Sequence, residues 1–144
     1  MSNRLTVVDL QEMISKSKFH QLFQPEVLEV DYDAYRLAIK YTMSDHLERQ
    51  PETHQWHGGA IASIIDTTGC YCLALLALDT LPTENFQTDY LRPAINTDLV
   101  AEAKIRKAGR TIAVVDVEIT SDARKLIAVG RARYAISEPL PHQI

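Results

Sequence analysis

The stretch His57-Gly58-Gly59-Ala60-Ile61-Ala62-Ser63-Ile64-Ile65-Asp66, continued through Thr67 and Cys72 to Leu78, decides the fold. Two glycines open it. After them the run has almost no polar face, the pattern of a helix covered on most sides by its own protein. Its length approaches that of a membrane span, but Ser63, Asp66, Thr67, Thr68 and Gly69 crowd its first half, which reads as a buried helix.

On both sides of this helix the period changes from helical to alternating. Upstream, Leu28, Val30 and Tyr32, then Tyr35, Leu37, Ile39 and Tyr41, alternate about a turn at Asp33-Ala34 and predict a hairpin over Val27 to Tyr41. Between hairpin and helix, Ser44 to Trp56 is polar, holds Pro51 and shows no period, as a functional loop does. Downstream of Pro82 four stretches read as strands: Glu84 to Leu91, Leu99 to Lys107, Thr111 to Thr120 and Leu126 to Ile136. Their connections predict an antiparallel meander, and Ala128, Gly130 and Ala132 on one face leave room for a helix close to the sheet. Near the start, Leu10, Met13 and Ile14 recur at helical spacing within Val8 to Ser17, behind a cap at Asp9. The fold class is therefore α+β, one long central helix wrapped by a curved antiparallel sheet. Residues 1–144 form a single domain in which 1–25 are an N-terminal helical extension.

Composition narrows the function. A chain of 144 residues with 46% hydrophobic and 24% charged side chains is globular and has room for one core. Fifteen Lys and Arg against nineteen Asp and Glu give a net charge of -4, which argues against nucleic acid as a partner. The charge is uneven: residues 1–90 hold 6 basic and 13 acidic side chains, residues 91–144 hold 9 and 6, so the second part suits an anionic ligand. Met1 to Leu10 lacks the apolar run of a secretory signal, and Cys70 and Cys72 are too close for a good disulfide. A cytoplasmic protein with reduced thiols and no membrane partner is expected.

A Gly-Gly pair at a helix start leaves backbone N–H groups uncovered where the helix dipole is positive. Gly58 is thus a candidate oxyanion donor, and Gly59 gives a ligand room. Asp66 is a carboxylate on an otherwise apolar helix, where burial without a partner costs several kcal/mol. It reads as a general base or nucleophile, the alternative being an internal hydrogen bond to a neighbouring strand. The two are eight residues apart, roughly 12 Å along the axis at about 1.5 Å per residue, so one chain cannot bring both to one carbonyl. If both act in one site, that site is shared between subunits of a homodimer. His57 is placed to fix the loop by a backbone hydrogen bond or to act as a base, the first being the commoner role. His46, His54 and His57, at spacings of eight and three, lack the cysteine or carboxylate partners of a metal site, and no metal is expected.

Three motifs carry a family likeness: the segment from His57 to Asp66, Tyr-Leu-Arg-Pro-Ala from Tyr90 to Ala94, and Gly-Arg-Thr-Ile-Ala from Gly109 to Ala113. In this order, over nearly all of residues 25 to 137, they resemble the hotdog-fold acyl-CoA thioesterases of the phenylacetate-degradation (PaaI-like) family. The resemblance implies hydrolysis of acyl-CoA to free acid and CoA, with no cofactor because CoA is part of the substrate. It implies Asp66 as the catalytic carboxylate, from the partner subunit in a homodimer that often pairs into a homotetramer. Thr83 falls where the family often has a Ser or Thr near the nucleophilic water, though a turn residue after Pro82 reads equally well. Arg92, Arg106, Lys107 and Arg110 match phosphate or pantetheine contacts, or a solvated strand edge. The family's Asn or Gln six residues before the motif His is replaced by Pro51; Gln50, His54 and Gln55 are the residues available to orient substrate instead. Pro51 is also the feature that favours the alternative, a non-hydrolytic hotdog module binding acyl-CoA or acyl carrier protein. A hydratase is disfavoured, since those relatives pair His with a carboxylate in another motif. Trp56, Tyr71, Phe86 or Tyr90 would suit an aryl or a medium-chain acyl group.

Overall fold

In the computed structural model, which describes residues 4–78, 81–138 and 144, the apolar run forms α3, Gly58–Cys72. It continues as a 3-10 turn, Leu73–Leu76, and stops at Ala77 in the left-handed region. The alternating stretches become β1 Glu26–Asp31, β2 Arg36–Tyr41, β3 Thr83–Tyr90, β4 Leu99–Ala108, β5 Ile112–Ser121 and β6 Leu126–Ala135. They make one antiparallel sheet in the order β1-β2-β4-β5-β6-β3.

That order corrects the expected four-stranded meander. Only β4, β5 and β6 meander; β3 crosses over and pairs with β6, placing Phe86, Thr88 and Tyr90 opposite Ala132, Gly130 and Ala128. The segment after Leu91 is too long for a hairpin and is pinned elsewhere: Trp56 N–H donates to Ala94 O (2.9 Å) and its indole Nε1 to Thr97 O (2.8 Å). The freed edge of β4 is taken by β2, with Leu37 opposite Ala103 and Ile39 opposite Ala101.

The core lies between α3 and this sheet. Ile61, Ile64, Ile65 and Cys72 are buried against Leu37, Ile39, Ala101, Val115, Val117 and Ile119. Each fully buried isoleucine contributes roughly 1.5–3 kcal/mol, and this face packs the helix onto the sheet. The approach is close because of Gly130, where a Cβ would stand 2.7 Å from both Gln87 O and Ile65 Cγ2. The fully buried Thr68 hydroxyl donates to Ile64 O (2.7 Å) and pairs with the Tyr41 hydroxyl (2.8 Å), leaving neither orphaned.

Two further expectations change. Helix α1, Val7–Ser15, is capped by Thr6, with Asp9 completing a capping box from the third position. And α3 is not covered on most sides: Gly59 is exposed and Ala62, Ser63, Asp66, Thr67, Cys70 and Tyr71 are partly so. The sheet closes on one side of the helix and leaves this stripe of mostly small residues open. A short helix α2, Lys18–Gln21, reaches its far end, where His20 and Tyr71 meet edge to face with ring centroids 5.4 Å apart.

Candidate active site

The start of α3 is built almost entirely from backbone. His57 is the N-cap; its Nδ1 accepts the Gly59 N–H at 2.8 Å, and its carbonyl accepts from Ala60 and Ile61. A Cβ on Gly59 would lie 3.0 Å from that ring nitrogen, so glycine is what lets the ring close over the turn. With Nδ1 so engaged the imidazole proton resides on Nε2. Of the first-turn N–H groups, Gly58's alone has no partner among the described residues. It stands at the positive end of a fifteen-residue helix.

A groove of about 440 Å³ opens beside it, lined by Arg49, Gln55, Trp56, Tyr90, Leu91 and Arg92 among others. Tyr90 closes one side: its hydroxyl donates to Gly58 O, and its ring stands 3.4 Å from where a Gly58 Cβ would be.

Further along the open stripe, Asp66 is half-buried, so the burial cost argued from its apolar neighbours is largely relieved. One oxygen, Oδ1, accepts from Thr83 Oγ1 at 2.7 Å, across from β3. Its backbone is held from the other side by the Tyr134 hydroxyl, which donates to Asp66 O at 2.6 Å. No hydrogen bond is made by Oδ2 among the described residues. Near the carboxylate, burial pushes the Cys70 thiol up, with the charge of Asp66 adding to the effect. Burial holds the His20 imidazole below its ordinary value against the opposing pull of an Ile14 backbone hydrogen bond and of Asp66.

A family model described as the thioesterase superfamily matches residues 55–128, a span that holds Gly58, Asp66, Thr83 and Tyr90. A protein of Halobacterium salinarum named as a candidate esterase is 33% identical over 117 residues, covering 70% of this chain and 72% of its own. The chain belongs to the thioesterase superfamily. The acyl-coenzyme A thioesterase PaaI of Escherichia coli is 32% identical over 78 residues, 54% of this chain and 55% of its own. A solved thioesterase-superfamily structure superimposes with a TM-score of 0.83 at 28% identity, over 90% of this chain and 97% of that one. The sheet-wrapped helix is the hotdog fold, and the likeness is to its PaaI-like branch.

Within this thioesterase-superfamily chain the sequence-named residues do not all gather in one place. Gly58, Gly59, His57 and Arg92 gather at the helix start, and Asp66 meets Thr83 further along. Gln50 and His54 line a second depression, with Asp45, Glu48, Pro51 and Glu52, which shares Arg49 with the Gly58 groove; of the residues named to replace the family amide, Gln55 alone lines the Gly58 groove. Arg106 is on the outer face of the sheet, its Nε 3.5 Å from Asp116, which Arg131 also binds at 2.6 Å. The Arg131 hydrogen bond holds the Asp116 carboxyl below its ordinary value. Arg110 sits in the turn between β4 and β5. Sequence reasoning left out Arg49 and Tyr134 and read Tyr90 only as acyl lining. Tyr90 could have been singled out because it opens the second motif; nothing in the sequence flags the other two.

Proposed function

We propose that this chain hydrolyses acyl-CoA thioesters, using the Gly58 N–H of one subunit and Asp66 of another. The observation that carries the reading is the Gly58 N–H, unpartnered among the described residues, at the start of a helix whose open stripe also presents a carboxylate. The thioester carbonyl binds at the helix start, where the N–H and the helix dipole stabilise negative charge as it develops on oxygen. Asp66 Oδ2 takes a proton from water while that water attacks the carbonyl carbon; Thr83 steadies the carboxylate through Oδ1. The C–S bond then breaks and the proton passes to the departing CoA thiolate. In the variant of this path where Asp66 itself attacks, the same groups serve and water releases the acyl group afterwards.

The shared site is supported by the roughly 12 Å between Gly58 and Asp66 along α3, by the open stripe on that helix, and by the outer edge of β3, which no described residue covers. On this reading β3 pairs with a second copy, and the helix start of each subunit faces the other's Asp66. Arg92, in the groove, and Arg110 are the proposed contacts of the CoA phosphates. No metal or redox group takes part in this path.

Hydrolysis of a panel of aryl- and alkyl-CoA thioesters, read by release of free thiol, tests the function. Turnover above the uncatalysed rate is expected. Tight acyl-CoA binding without thiol release favours the binding-module reading, which Pro51 on the exposed turn supports.

A further inference from the structure

We propose that Tyr90 is a positioning residue that holds the Gly58 oxyanion donor in its productive orientation. The proposal rests on the thioesterase reading above and adds to it a residue outside the reacting set. Two adjacent glycines are the most mobile start a helix can have, since neither has a side chain to restrict its backbone. An oxyanion hole works only when its donors are oriented before charge develops. The first turn therefore needs restraint from outside.

The structure supplies it on both peptide planes that flank Gly58. The plane carrying the Gly58 N–H is held through the His57 carbonyl, which accepts two N–H groups of the next turn. The following plane, between Gly58 and Gly59, is gripped at both ends: His57 Nδ1 accepts the Gly59 N–H, and the Tyr90 hydroxyl donates to the Gly58 carbonyl. Ser63 Oγ adds a third side-chain bond one residue on, donating to Gly59 O at 2.9 Å. Tyr90 is the one of these that comes from the sheet, 32 residues away along the chain, and it fixes the helix start to β3. Its ring also stands 3.4 Å from where a Gly58 Cβ would be, which blocks the turn from swinging toward the groove.

Tyr90→Phe removes the hydroxyl and keeps the ring. It is expected to lower kcat on the best acyl-CoA about tenfold, with KM unchanged and the thermal midpoint lowered by no more than the loss of one hydrogen bond accounts for. An acyl-CoA trifluoromethyl ketone, whose hydrate mimics the oxyanion, should bind more weakly by the same factor, while CoA itself binds as before. Amide exchange at Gly59 and Ala60, followed by NMR without substrate, should quicken. Wild-type kcat in the variant overturns the proposal, and so does a lower kcat with unchanged exchange, because the hydroxyl would then act elsewhere. A rise in KM alone assigns Tyr90 to substrate binding and also overturns it. If the unaltered protein hydrolyses no acyl-CoA, the thioesterase reading fails, and the exchange measurement then decides by itself whether the clamp exists.

Discussion

The sheet has two edges, and they are finished in opposite ways. At the β1 edge the strand is short, bulged at Leu28 and carries Glu26, Glu29 and Asp31. Gln11 from α1 reaches over it, donating to Pro25 O at 2.9 Å and accepting the Val27 N–H at 2.7 Å, so a side-chain amide fills the place of another strand. The Tyr32 hydroxyl donates to Leu5 O and ties down the segment before α1. At the β3 edge nothing comparable covers the strand among the described residues. Its centre, Asn85 to Thr88, is uncharged, and Phe86 and Tyr90 are 39% and 52% exposed. Exposed edges invite pairing, and folded chains usually protect them. One edge is protected here and the other is not, and the unprotected edge carries Thr83 and Tyr90, the two β3 residues bonded to α3 at Asp66 and Gly58. On the proposed reading, this unprotected edge is where a second copy joins, beside the proposed site.

The largest effect is expected where that edge meets the helix. Asp66→Asn keeps the shape and the Thr83 contact but removes the base, and thioesterase turnover should fall at least about a hundredfold with an unchanged thermal midpoint. Near-normal turnover would detach the bare edge from the chemistry. Next come matched lysines at the two edges. Phe86→Lys should shift the particle toward the monomer by light scattering and lower turnover at least about tenfold, whereas Leu28→Lys, at a residue 43% exposed on β1, should change neither. Equal effects at the two edges would remove the asymmetry. The smallest effect belongs to the plug itself: Gln11→Ala loses the two hydrogen bonds to the β1 edge, at roughly 0.5–1.5 kcal/mol each, and an exposed one to Ser15 within α1. The midpoint of thermal unfolding should drop by about 3–8 °C with turnover intact. A drop in turnover with no change in stability would mean that α1 serves the site directly.

How much of this could be read in advance depends on the range of the interaction. Elements defined by local period were legible: α3 from its apolar run, and β4 to β6 from alternation interrupted by short turns. The position of β3 was not, because strand order depends on where the chain goes after Leu91, which the anchoring of Trp56 to Ala94 and Thr97 decides and no period records. The cap of α1 was legible in principle, since Thr6 and Asp9 have the spacing of a capping box, in which Thr6 is the cap and Asp9 its partner at the third position. At the site, Gly58 and Asp66 stood out because a glycine pair and a carboxylate are anomalies in an apolar helix. Tyr90 and Tyr134 as backbone anchors did not, since a tyrosine on a strand is ordinary until its hydroxyl is seen on a helix carbonyl 32 or 68 residues away. The open stripe of α3 was legible in principle, since Ser63, Asp66, Thr67, Cys70 and Tyr71 recur at helical spacing, but the apolar residues between them made the run read as covered on most sides.

The claim that the site is shared across the β3 edge is tested most directly by mixing two inactive variants. Asp66→Asn lacks the base. Gly58→Val places a branched side chain against the Tyr90 ring and over the carbonyl's approach to the helix start. In a mixed dimer one site joins the intact Gly58 of one chain to the intact Asp66 of the other, while the second site carries both defects. After co-expression, or unfolding and refolding together, random association makes half the dimers mixed, and up to about a quarter of wild-type activity should return. No recovery at any mixing ratio, with mixed dimers shown to form, would place the whole site within one chain and contradict the account.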